Sequence, residues 1–166
     1  MAYQTQALQP GDILLMRGRS TSPWWDQILD AGIRWSTDCW AVHAALVGDG
    51  VLINPLWHVQ TDALAIYAQN GFAYRVANAS TAHTRRAVQW AMQHVGQRYG
   101  LAELLADAGR LDLHLPLGTH WFPHYVTCSG FVVEAYQHAG ITLTYAPLPT
   151  PADLLYSPLL LGDRPL

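Results

Sequence analysis

The chain has 166 residues, of which 51% are hydrophobic and 13% charged, and its formal net charge is −3. That length predicts one domain over 1–166 with a core of its own. The charged share is about half the usual value of roughly 25%, every basic residue is arginine and none of them form a block, so nucleic acid is excluded as an expected partner.

Gly11-Asp12 opens a short apolar strand, Ile13 to Met16. Ser22-Pro23 reads as a cap followed by proline at the first helical position, which predicts a helix from Pro23 to about Arg34. Trp40 to Val47 is a β-rich strand, Asp49-Gly50 a hairpin signal, and Val51 to Asn54 the returning strand. Trp57 to Gln60 extends or follows that strand, and Phe72 to Ala77 forms another. From Thr81 to about Arg98 the pattern is helical, with Ala87, Val88, Ala91, Met92 and Val95 on one face. Leu101 to Ala108 is a second helical piece, ended by Gly109. Leu111 to Val126 is a loop long enough to suggest function. Cys128 then opens an amphipathic helix whose stripe is Phe131, Val132, Ala135 and Tyr136, with Gly140 past its end. Thr150-Pro151-Ala152-Asp153 starts a last short helix. The fold class expected from this order is α+β. Residue by residue the seven tryptophans are better read as core than as a stacking groove, and the Trp24-Trp25 pair as one core and one surface aromatic rather than a ligand platform.

Cys128 carries the chemistry. A thiol is a useful nucleophile only as thiolate, and a helix N-terminus stabilises a nearby negative charge. The backbone N–H of Cys128 itself can hold an oxyanion. A cysteine nucleophile needs a base, and His43 lies inside an apolar strand, where a polar group is costly unless paired or used. With a two-residue turn at Asp49-Gly50, Val47 faces Leu52 and Ala45 faces Asn54. His43 then shares a face with Asn54 and is its diagonal neighbour. Cys128, His43 and Asn54 can thus act as nucleophile, base and orienter. His58, four residues beyond Asn54, is a weaker candidate for the third role. The bland readings are a buried structural cysteine, a satisfied core histidine and a turn-adjacent asparagine.

The Gly11-Asp12-Ile13-Leu14-Leu15 opening, the strand around His43, Gly96-Gln97-Arg98-Tyr99, Cys128-Ser129-Gly130 at a helix start and Thr150-Pro151 occur in this order. Together they resemble the NlpC/P60 superfamily of cysteine hydrolases. Histidine before cysteine matches its circularly permuted branch, the YiiX/YebB-like proteins, and more distantly the lecithin:retinol acyltransferase-like enzymes. The likeness runs from Gly11 to Ser157-Pro158. It implies a papain-like fold, with helices carrying Cys128 packed on a small antiparallel sheet or barrel carrying His43. It also implies Cys128 as nucleophile and His43 as base, with Tyr99 near the site as a substrate contact. Permuted members often carry an acid at the third position, so Asn54 is a departure. Trp57 and Trp121 are further candidates for substrate contact, and the loop containing Trp121, Phe122 and Tyr125 is expected to wall the cleft.

The resemblance implies cleavage of an amide in a cell-wall (peptidoglycan) peptide through a thioester. The alternatives are a lipid acyl hydrolase or acyltransferase using the same pair, and a binding module whose Cys128 and His43 do not meet. Cys39, four residues before His43, is a rival thiol without a helix N-terminus to stabilise it. His120, His124 and Cys128 recur every four residues, with His114 nearby, but Pro123 breaks the helix that zinc ligation would need. No metal and no cofactor is expected, and the expected partner is a peptide or acyl small molecule. Met1 to Pro10 lacks a basic segment followed by an apolar one, no apolar run approaches roughly 18 residues, and two cysteines make no disulfide scaffold. The expected setting is a reducing cytoplasm, with phage origin or export by a dedicated machine as alternatives.

Overall fold

A computed structural model describes residues 8–17, 38–56, 58–67, 71–97, 127–147 and 149–162. Its strands are β1 (Ile13–Met16), β2 (His43–Val47), β3 (Val51–Pro55), β4 (Val59–Ala63), β5 (Gly71–Val76) and β6 (Leu160–Leu161). Its helices are α1 (Leu64–Tyr67), α2 (Thr81–Gln93), α3 (Cys128–His138) and α4 (Pro151–Leu155). The six strands form one antiparallel sheet in the order β4-β3-β2-β1-β5-β6. The class is α+β. The expected helix over 23–34, the helical piece over 101–108 and the loop over 111–126 lie outside the described residues.

β1 is flanked by β2 and β5, pairing Ile13 with both Leu46 and Tyr74. All four of its residues are buried, which explains a continuous apolar run in place of an alternating one. On one face Ile13, Leu15, Ala44, Leu46, Ile53 and Tyr74 pack with Ala87 and Ala91 of α2 and Phe131, Val132, Ala135 and Tyr136 of α3. The other face is smaller, with Leu14, Met16, Ala45, Val47 and Leu52 joined by Leu8, Leu64 and Ala73. α2 packs along α3. At their seam Trp90 stacks between His94 and His138, with ring centroids 3.9 and 5.0 Å away.

Two differences from the sequence reading, and one choice it left open, have physical causes. The helix expected to reach Arg98 ends at Gln93, because Gly96 turns the chain with a φ of +90° and the segment then pairs with β4. Gly96 donates to the Val59 carbonyl (2.8 Å), and Val59 donates to that of Gln97 (3.0 Å). Val95 is therefore off the helix and Met92 is at its edge, 37% and 44% exposed, in place of the core positions expected. The strand expected from Trp40 starts at His43, where pairing with β1 ends at Met16. Finally, of the two courses left open for 57–60, the described residues 58–60 take the second and follow β3. The chain turns after Pro55, and β4 runs back along β3, pairing Asn54 with Gln60 and Leu52 with Asp62.

Candidate functional site

α3 starts where a threonine caps it. Thr127 has extended backbone (φ −70°, ψ 159°), and its Oγ1 accepts the Gly130 N–H at 2.9 Å. The same hydroxyl donates to the Pro149 carbonyl at 3.0 Å, tying the helix start to the segment before α4. A side chain at Gly130 would put its Cβ 3.0 Å from Thr127 Oγ1, so the capping hydroxyl would have to give by a few tenths of an ångström. Cys128 is the first helical residue and half-buried, while Ser129 behind it is fully buried. The first N–H groups of a helix have no intrahelical acceptor and carry the positive end of its dipole.

The start of α3 meets the start of β2. The Cys128 thiol is in hydrogen-bonding contact with the His43 imidazole, the Ala44 backbone N–H and the Ser129 hydroxyl, whose Oγ is 3.9 Å from Sγ. Burial pushes the thiol upward. The charge and hydrogen bond of His43, then the Ala44 N–H and Ser129, pull it down harder, so it ionises below its ordinary range.

The hairpin delivers the third residue. Val47 faces Leu52 and Leu46 faces Ile53, with Gly48 donating to Val51 across the Asp49-Gly50 turn at 2.8 Å. His43 and Asn54 thus share a face, and His43 Nε2 lies 2.7 Å from Asn54 Oδ1. Asn54 is completely buried. His58, the other candidate for this place, is exposed at the bend into β4. The structure therefore brings Cys128, His43 and Asn54 together in one chain of contacts. Trp57, Tyr99 and Trp121 lie outside the described residues.

One neighbour was not foreseen. Asn54 Nδ2 donates to Asp62 Oδ2 at 2.7 Å, and Gln60 Nε2 donates to both Asp62 oxygens at 3.0 and 3.1 Å. A turn signal existed in Pro55, which closes β3. Reading 59–63 as a returning strand would have brought Asp62 beside Asn54.

The rival thiol has a different setting. Cys39 is buried in the main core, and its sulfur accepts the Ala41 N–H at 3.4 Å. Of the proposed zinc ligands, His114, His120 and His124 are outside the described residues. Among the described residues no group of three or more His, Cys, Asp or Glu could hold a metal, and no helix is long and apolar enough to cross a membrane.

The Gly11-Asp12 opening has a different task. Gly11 donates to the Val47 carbonyl at 2.8 Å, and its own carbonyl accepts the Tyr136 hydroxyl. Burial, and then the Asp12 charge, hold that phenol above its ordinary range, so it stays a donor. Asp12, nearly buried, accepts from the Gln9 N–H (2.9 Å) and from Arg75 Nε and a terminal guanidinium nitrogen (3.1 and 3.2 Å). A cavity of about 640 Å³ opens beside this brace, lined by Asp12, Arg75, Thr84, Arg85 and Tyr136 but not by Cys128, His43 or Asn54.

No protein-family model matches the chain, and no curated protein matches it in sequence.

Proposed function

We propose that this protein is a cysteine hydrolase of permuted papain-like, NlpC/P60 type that cleaves an amide through a thioester on Cys128. The single observation that carries this reading is the contact chain from the thiol at the α3 N-terminus to His43 and on to buried Asn54. Helices packed on one face of an antiparallel sheet, the helix bearing the thiol and the sheet bearing the imidazole, support the papain-like fold.

His43 takes the Cys128 proton, and the thiolate attacks the carbonyl carbon. The Cys128 N–H at the helix start steadies the oxyanion. Collapse breaks the C–N bond as His43 returns the proton to the departing amine, leaving a thioester. Water then attacks, giving a proton to His43, and the C–S bond breaks to release the acid and regenerate the pair. The resemblance of the sequence to NlpC/P60 proteins points to a cell-wall peptide as the substrate.

The test is the rate of Cys128 alkylation by iodoacetamide against pH, in the natural protein and in His43→Ala. The expected apparent pKa lies well below the free-thiol value of about 8.5 and rises in the variant. An ordinary thiol titration, unchanged by His43→Ala, overturns the reading. Release of new amines from peptidoglycan peptides, lost in Cys128→Ala, is the matching activity measurement. Acyl esters cleaved while peptides are left intact would favour a lipid enzyme.

A further inference from the structure

We infer that Asp62 is a positioning residue that sets which nitrogen of His43 bears the proton. The inference rests on the reading of Cys128 and His43 as nucleophile and base. It follows from the donors and acceptors in the chain. An ionised carboxylate can only accept hydrogen bonds, so the 2.7 Å contact from Asp62 Oδ2 obliges Asn54 to turn its NH₂ group toward β4. The amide oxygen of Asn54 must then face His43. That oxygen too can only accept, so the partner at 2.7 Å, His43 Nε2, must donate. In the neutral ring a proton on Nε2 leaves Nδ1 as the lone-pair nitrogen, free to take a proton from the thiol.

Without Asp62 the amide of Asn54 has two nearly equivalent settings. In the wrong one its NH₂ group faces His43 Nε2, which must then accept, and the ring proton moves to Nδ1. A ring in that state cannot serve the thiol as base through Nδ1. The same logic explains why an asparagine suffices at the third position when an acid stands behind it. Complete burial of Asn54 removes water as a competing partner. Gln60, by donating to both Asp62 oxygens, holds the carboxylate in place from the same strand.

Asp62→Ala and Asp62→Asn separate this role from a merely structural one, read by Cys128 alkylation against pH beside His43→Ala. Asp62→Ala is expected to slow alkylation near pH 6 about tenfold, equivalent to a rise of roughly one unit in apparent thiol pKa. Asp62→Asn, whose amide can either accept from Asn54 or donate to it, restores the acceptor only in part and is expected to fall between the natural protein and Asp62→Ala. An Asp62→Ala profile matching the natural one while His43→Ala shifts it overturns the inference and leaves the nucleophile–base reading standing. An Asp62→Asn slower than Asp62→Ala also overturns it, since even a partial acceptor should serve better than none. If His43→Ala itself changes nothing, both fall. Should Asp62→Ala not fold, the ¹⁵N shifts of His43 in the natural protein decide. A neutral ring protonated at Nε2 is expected, and one protonated at Nδ1 overturns the inference.

Discussion

At Gly11 two constraints act on one residue. Its φ of +94° lies in the left-handed region, and a Cβ there would sit 2.5 Å from that of Thr84 on α2. The tight approach lets the Tyr136 hydroxyl of α3 reach the Gly11 carbonyl, and lets Asp12 next door bind Arg75. The Gly-Asp pair is thus a brace joining β1, α2, α3 and β5, and it does its work away from the thiol. Gly11→Ala is expected to lower the unfolding free energy by about 1–3 kcal/mol through backbone strain and overpacking. Urea denaturation measures this, and a loss under a few tenths of a kcal/mol would mean that α2 gives way freely. Because Arg75 is half-exposed, the ion pair alone contributes far less than a fully buried pair would.

Among the elements, α3 binds stability and reactivity together, because its cap fixes where the thiol stands. Thr127→Ala removes the acceptor for Gly130 and the tie to Pro149. It is expected to cost about 1 kcal/mol and to slow Cys128 alkylation. Thermal melts and alkylation rates check the two effects separately, and an unmoved alkylation rate would show that the packing of α3 alone positions the thiol. Elements with strong local signals were legible in the sequence. β1 was placed at its observed bounds, and the Asp49-Gly50 hairpin gave the register that joins His43 to Asn54. The start of α3, its buried stripe and the Thr150 cap of α4 could be read in the same way. β4 could not, because Val59–Ala63 has one buried residue and otherwise an outer-strand mixture of half-buried and exposed positions. Its pairing with β3 is a tertiary choice, and with it went Asp62. The end of α2 is not legible for a similar reason, since hydrogen bonds with Val59 outcompete a helical pattern that nominally continues to Val95.

Over the whole molecule the two cysteines have opposite environments. Cys39 is sealed in the core between sheet and helices, while Cys128 stands at a helix end with access to reagent. A thiol reagent is expected to titrate one group quickly in the folded protein and both after unfolding in urea. The low-pH reactivity of Cys128 is expected to vanish in the same transition as the helical circular dichroism, because α3 and β2 meet only through tertiary packing. Two fast thiols in the folded state would mean that Cys39 is reached by local opening. The turn around the nucleophile has one more consequence. Thr127, Gly130 and Pro149 hold it through the hydroxyl of Thr127 and backbone atoms, and the Cys128 sulfur takes no part in that framework. The reactive atom is therefore a removable fitting on a self-supporting mount. Cys128→Ala keeps the mount and the imidazole beside it, and so turns the protein into bait that can hold a compound without consuming it, for recovery and identification by mass.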